Sequence, residues 1–202
     1  MTQSLRIAVA EDEADMCEYL ETTLPLLGHQ VVGVARTGRE LIELCRKTQP
    51  DLVITDVKMP DLDGIEAANI IATERPVPVI LLSAFHDTAT IERAEADHVL
   101  AYLIKPIKEA DLAPAIALVR RRFEELQSLR REASDLRQAL EDRKIIERAK
   151  GVLIKRAQID EEEAFRRLQK LAMSRRQKLV EIAQVILTAE EACAEVKKAG
   201  EK

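Results

Sequence analysis

Asp51-Leu52-Val53-Ile54-Thr55-Asp56-Val57-Lys58-Met59-Pro60-Asp61-Leu62-Asp63-Gly64 is the stretch that decides how this chain reads. Leu52 to Thr55 is a short β-prone apolar run, the pattern of a strand buried on both faces. Asp56 falls where that strand should end, and Met59 to Gly64 is turn chemistry. An acid at the carboxyl end of a parallel strand lies at the edge where open α/β sheets bind ligands. Aspartates at such positions also serve as helix caps or solvated loop starts. The surroundings of Asp56 have to decide between these roles.

Upstream, Leu5 to Ala10 reads as a buried strand, followed at once by Glu11-Asp12-Glu13. Helical spacing over residues 14–27 stops at Gly28, and Gln30 to Ala35 is a second strand. Thr37 is a candidate N-cap for a helix to about Lys47, with Glu40 at the capping-box position. Downstream, a third helix is predicted from about Gly64 to Glu74 and a fourth strand from Val77 to Ser83. A weaker helix follows over about 88–96. Leu100 to Ile104 is a fifth strand, ending at Lys105-Pro106. Five rounds of strand then helix predict an α/β, flavodoxin-like, doubly wound parallel sheet.

All strand C-termini of such a sheet open on one edge, which brings Glu11, Asp12, Asp56, Ser83 and Lys105 together. Three carboxylates in one pocket repel each other unless a cation enters. Hard oxygen ligands with room for water suit Mg²⁺. A solvent-reachable aspartate beside a metal is a good nucleophile toward a phosphoryl group. Lys105 offers a positive point charge to the transferring oxygens, and Ser83 offers a hydroxyl.

These residues resemble, in order and spacing, the receiver domains of two-component response regulators. The matching set is Glu11-Asp12, the Asp56 strand with Lys58-Met59-Pro60 and Asp63-Gly64, then Ser83-Ala84 and Lys105-Pro106, over about residues 4–120. The resemblance implies that a sensor histidine kinase phosphorylates Asp56. It implies a Mg²⁺ site made by Asp12, Asp56 and the Lys58 backbone carbonyl, with Glu11 helping mainly through water. It also implies that Ser83 and Tyr102 form a switch pair and that the Lys105-Pro106 bond is cis. Glu11 stands where the family more often has aspartate; acidity is kept, with a longer reach.

Overall charge is -5, but it is unevenly spread. Residues 1–107 carry net -9, and residues 141–178 carry net +5. An acidic front and a basic rear suggest two modules with different partners. No apolar run is long enough to span a membrane, and the first residues lack a signal-peptide layout. Cys17, Cys45 and Cys193 lack metal-ligand spacing and read as buried free thiols of a cytoplasmic protein. His29, His86 and His98 form no ligand pattern.

Between the modules, Val119, Phe123, Leu126, Leu129, Ala133, Leu136 and Leu140 step close to a heptad. A long helix carrying that seam needs an apolar partner, and the expected partner is a second copy, giving a parallel coiled-coil homodimer. A single helix packed on its own chain remains the alternative. The expected domains are 1–120, a coiled-coil linker at 121–139, and a small three-helix bundle at 140–202.

In the rear module, Ile145, Ile146, Ala149, Val152 and Leu153 mark the apolar face of the first helix, with small residues at Ala149-Lys150-Gly151 where another helix could approach. Asp160 is an N-cap candidate with Glu163 as its capping-box partner, and Ala164, Phe165, Leu168, Leu171 and Ala172 form the next apolar face. The third helix carries Leu179, Ile182, Ala183, Val185, Ile186 and Leu187. The runs 140–153, 162–168 and 179–186 look like the ANTAR-type output domain of transcription antitermination regulators, over about residues 136–190. That family binds paired RNA stem-loops in nascent transcripts, and the resemblance makes RNA the expected partner. Arg143, Lys144, Lys150, Lys155 and Arg156 are the candidate RNA contacts.

Two other readings stay open on sequence alone. Leu168 to Leu187 could be a DNA-binding helix-turn-helix pair. The front pocket could belong to a metal-dependent phosphotransferase or hydrolase with a separate substrate, although no substrate-recognition loop is evident.

Overall fold

The computed structural model describes residues 4–84 and 99–200, with side chains to residue 192. Its elements are β1 (Arg6–Ala10), α1 (Ala14–Leu26), β2 (Gln30–Ala35), α2 (Gly38–Thr48), β3 (Leu52–Asp56), α3 (Gly64–Glu74), β4 (Val79–Ser83), β5 (Val99–Ile104), α4 (Glu109–Ala157), α5 (Glu161–Arg175) and α6 (Leu179–Gly200). The helix read over about 88–96, with His86 and His98, lies outside the described residues, as does the side chain of Cys193. Two compact units, 1–128 and 129–202, divide within α4. Among the described residues no helix is long and apolar enough to cross a membrane.

The five strands are parallel and ordered β2-β1-β3-β4-β5. Alternation along β3 sorts its side chains to opposite faces. Leu52 and Ile54 join Ile7, Val9, Leu20, Leu24, Ile80, Leu82, Leu112 and Ile116 in one core. Val53 joins Ala8, Leu41, Ile65, Ala68, Val79 and Leu81 in the other. Burial on both faces explains why β3 reads as a continuous apolar run.

Local signals end the elements. Thr37 caps α2 by accepting from Glu40 N at 3.2 Å, while the Glu40 carboxylate reaches back to Arg36 N at 2.7 Å. Asp63 caps α3, accepting from Glu66 N at 2.7 Å. Gly28 adopts φ 87°, the left-handed conformation that glycine reaches without a Cβ clash. Helix α4 begins at Glu109, ten residues before the first seam position Val119, and carries Pro114 inside it. Proline removes one helical hydrogen bond, but Leu112, Ala115, Ile116 and Val119 are buried against the sheet and hold this turn. Val119 therefore belongs to the core of the first unit and is not part of an open seam. Of the seam positions, Leu129, Ala133, Leu136 and Leu140 are exposed, the leucines at 61%, 66% and 57%.

In the second unit Ala149, Leu168, Ala172, Ile182, Ala183 and Leu187 form the core, with Ile145, Ile146, Val152 and Leu153 packed around it. Asp160 caps α5, accepting from Glu163 N at 2.8 Å. The Glu163 carboxylate does not close a capping box; it pairs with Arg166 and Arg167. Phe165, read as core-facing, is 36% exposed because it stands one position off the Ala164–Leu168–Ala172 stripe. Val185 likewise faces outward.

Gly64 is where the fold meets the site. Its N–H donates to the Val57 carbonyl at 2.9 Å, and a Cβ on it would run into the Asp56 carbonyl oxygen and Thr55 Oγ1. Gly64→Ala should therefore destabilise the first unit by about 2 kcal/mol, the scale of overpacking a filled site. Urea unfolding of the full chain measures it, and an unchanged midpoint would show that the loop moves aside freely.

Candidate functional site

The C-terminal edge of the sheet holds the front site, at the switch point where β1 and β3 lead to opposite sides. Glu11 and Asp12 follow β1, Asp56 ends β3, Ser83 ends β4 and Lys105 follows β5. Glu11, Asp12 and Asp56 each place a carboxylate oxygen within 4.8 Å of the others. Glu11 is fully buried, Asp56 is 7% exposed, and Asp12 faces solvent. The cluster is thus closed behind and open in front.

Lys105 reaches into this cluster. Its Nζ lies 2.8 Å from Glu11 Oε2 and 2.9 Å from Oε1, and 3.5 Å from Asp56 Oδ1. The Lys105-Pro106 peptide is cis, as the resemblance implied. Lys105 N donates to the Ser83 carbonyl at 2.9 Å, which ties the ends of β4 and β5. Ser83 is half-buried beside Leu82, the register partner of Asp56. Tyr102 is half-buried and packs against the core on the α2–α3 side. Lys58 stands two residues past Asp56, exposed on the loop to α3.

Burial pushes the Asp56 carboxyl above its ordinary pKa, against the pull of Lys105, and the charge of Asp12 adds to the rise. Glu11 is also raised by burial; its hydrogen bond to Lys105 opposes the shift and the Asp56 charge reinforces it. Burial works to lower the Lys105 pKa, but the bond to Glu11 and the Asp56 charge outweigh it and the net shift is upward. Among the described residues, the Glu11–Asp12–Asp56 carboxylates outnumber the lysine, Lys105, that reaches into them. An all-oxygen donor set of this kind fits a hard divalent cation.

Two contributors escape a motif reading. Thr55 is buried, and its hydroxyl donates to the Asp56 carbonyl at 3.0 Å. Its signal is a hydroxyl interrupting an apolar strand just before the acid. Arg36 donates from Nη1 to the Asp12 carbonyl at 3.2 Å, fixing the acidic loop from the end of β2; nothing in its local sequence marks it. Cys17 and Cys45 are free and buried. Burial pushes the Cys45 thiol up to about 11, so neither its position nor its ionisation suits chemistry.

The five cations singled out in the rear unit separate into distinct classes. Arg143, Lys144 and Lys155 are exposed, with Lys144 paired to Glu141 at 2.7 Å. Arg156 makes a two-pronged pair with Glu190, both bonds 2.9 Å. Lys150 is different, because its side chain is only 9% exposed. Its Nζ lies 2.9 Å from Glu147 Oε2 and 2.7 Å from Glu161 Oε1, and 5.8 Å from the centre of the Phe165 ring. Hydrogen bonds to Glu161 and Glu147 raise its pKa. Lys150 is built as a clamp between α4 and the start of α5, and its ammonium is already occupied.

Comparison with known proteins agrees with this arrangement. The response regulator receiver domain family matches residues 7–117, and the ANTAR domain family matches residues 134–187. The transcriptional regulatory protein PdtaR of Mycobacterium tuberculosis is 43% identical over 182 residues, covering 90% of this chain and 89% of that protein. Among solved structures, a signal receiver domain of a modulated diguanylate cyclase from Desulfovibrio desulfuricans is 26% identical with a TM-score of 0.57, covering 60% of this chain and 98% of that one. A response regulator receiver domain from Clostridium thermocellum is 29% identical with a TM-score of 0.55, over 60% of this chain and 98% of its own. The ANTAR match spans the helices that could also be read as a helix-turn-helix pair, so the DNA-binding alternative is not favoured. The chain belongs to the two-component response regulators that join a receiver domain to an ANTAR-type, RNA-binding antitermination domain.

Proposed function

We propose that a sensor histidine kinase phosphorylates Asp56 and that the phosphorylated chain changes its binding to RNA stem-loops in nascent transcripts, controlling antitermination from the cytoplasm. The observation that carries this reading is the Glu11–Asp12–Asp56 cluster with Lys105 reaching into it. In the transfer, an Asp56 carboxylate oxygen forms a bond to phosphorus as the phosphorus–nitrogen bond of the donor histidine breaks. The imidazole nitrogen leaves with the bonding pair. Later attack by water on phosphorus releases phosphate and returns the carboxylate, so the receiver acts only on its own aspartate.

Asp12, Asp56 and the Lys58 carbonyl would hold Mg²⁺, with Glu11 behind them. When bound, Mg²⁺ supplies positive charge to the phosphoryl oxygens. Lys105 adds its ammonium to the same oxygens, and Ser83 donates its hydroxyl once the group is in place. Tyr102 then turns inward behind Ser83. The exposed Leu129, Leu136 and Leu140 would meet the same residues of a second chain, making a homodimer whose two rear units engage paired stem-loops.

The pocket's charge predicts a pH-dependent stability. The Asp56 and Glu11 carboxyls have raised folded pKa values. Their contribution is full below the ordinary carboxylate range and is lost as pH rises through the folded values. At neutral pH without metal, Asp56→Asn should raise Tm by about 3 °C, and Mg²⁺ should stabilise the wild type more than the variant. An equal Mg²⁺ response in both would contradict a metal site at Asp56.

For the function itself, RNA hairpins can be titrated onto the full chain with and without a small phosphodonor and Mg²⁺. Wild type should change affinity by about tenfold or more, a coupling of at least about 1.4 kcal/mol, and Asp56→Asn should not respond. Leu129→Glu with Leu136→Glu should yield monomers by sedimentation and lose preference for paired hairpins over single ones. Equal binding by wild type and Asp56→Asn in both conditions would refute the switch.

A further inference from the structure

Gly151 lies inside α4, where glycine is the least favourable residue after proline. A buried helix–helix crossing would justify it. Here a Cβ on Gly151 would meet nothing within 4 Å, so no part of the described chain needs the missing side chain. Instead the position opens into a cavity of about 310 Å³ between α4 and α6, lined by Arg148, Val152, Lys155, Leu187, Glu190 and Glu191. Residues 148, 151, 152 and 155 form one stripe of α4, and 187, 190 and 191 form the facing stripe of α6.

The lining is graded. Val152 and Leu187 make an apolar floor, with Leu187 only 5% exposed. Arg148 and Lys155 stand three residues before and four after the glycine, both exposed. Arg148 touches Glu191 loosely, at 3.7 Å, whereas Glu190 is engaged by Arg156 at 2.9 Å. Arg148 and Lys155 are rimmed by Glu190 and Glu191, but Glu190 is held by Arg156 and Glu191 only loosely by Arg148, so the two cations can turn to a phosphate joined to a flat ring over the apolar floor. The volume is at the low end of small-ligand sites, which suits one nucleotide and not a duplex. RNA recognition works by splaying loop bases out of the stack, and a bare helix backbone lets such a nucleotide come close.

We propose that the groove over Gly151 is the seat for one unstacked loop nucleotide of the target RNA, with its phosphate at Arg148 and Lys155 and its base over Val152 and Leu187. The proposal rests on the RNA reading of the rear unit and adds the place where the loop is read. Once Arg148 turns from Glu191 to the phosphate, the Glu191 carboxylate can accept from an exocyclic amino group, so cytosine, adenine or guanine should be preferred to uracil in the seat.

The experiment compares the full-length wild type with Gly151→Ala and Gly151→Leu. The probe is a pool of RNA hairpins with randomised loops, titrated with and without a small phosphodonor and Mg²⁺. A methyl group has room, so Gly151→Ala should keep or raise Tm. Gly151→Leu fills the seat and should weaken selected hairpins about tenfold or more, the scale of losing one stacked base. Residual binding to loopless duplex should stay unchanged, as should the sedimentation coefficient. If wild type selects hairpins and folded Gly151→Leu binds them equally well, the seat is overturned while the RNA reading stands. If wild type selects no hairpin in either condition, both fall. If Gly151→Leu instead changes the oligomeric state, the groove is a contact between copies of this chain and the proposal is overturned.

Discussion

The first unit depends on holding negative charges where they repel one another. Two carboxylates about 5 Å apart cost roughly 3 kcal/mol at an effective dielectric constant near 20, a large share of the 5–15 kcal/mol that keeps a domain folded. The sheet can bear this because both of its faces are filled with aliphatic side chains. Parallel strands then deliver Glu11, Asp12 and Asp56 to one edge whether or not the charges agree. Lys105 relieves part of the repulsion, and the remainder favours a cation or a reaction that changes the charge. Stability and reactivity at Asp56 are therefore two aspects of the same electrostatics.

Several features around that edge are structural supports for this arrangement. Gly64 lets the loop after Asp56 return against the strand end, Asp63 caps α3, and Arg36 pins the acidic loop through the Asp12 carbonyl. The backbone bond from Lys105 to Ser83 aligns two further contributors on neighbouring strands. These contacts fix the acids and the lysine in place before any ligand arrives, which is what transfer to an aspartate requires.

Much of the front unit was legible because short-range signals and the wider fold agree there. The β3 run, the Thr37 cap, the turn chemistry up to Gly64 and the four polar strand ends all point to one topology. The first turns of α4 were not, because the seam is legible only from Val119 onward, while the burial of Leu112 and Ile116 carries the helix through Pro114. Val119 fitted the seam by spacing alone, yet packing claims it for the sheet. In the rear unit, charge could not separate Lys150 from Lys155. Composition counts both as surface cations, but Glu161 lies close in space to Lys150 and far from it in sequence. Gly151 posed the opposite problem: the sequence suggested a close helix crossing, and the structure has a cavity there.

The account turns on Asp56 accepting a phosphoryl group in a pocket that a divalent ion completes. Intact-protein mass spectrometry after exposure to a small phosphodonor tests it most directly, with borohydride trapping to locate the acyl phosphate. One phosphoryl group should add when Mg²⁺ is present, map to Asp56, and vanish in EDTA or in Asp56→Asn. Labelling that persists without a divalent ion, or that maps to another residue, would contradict it.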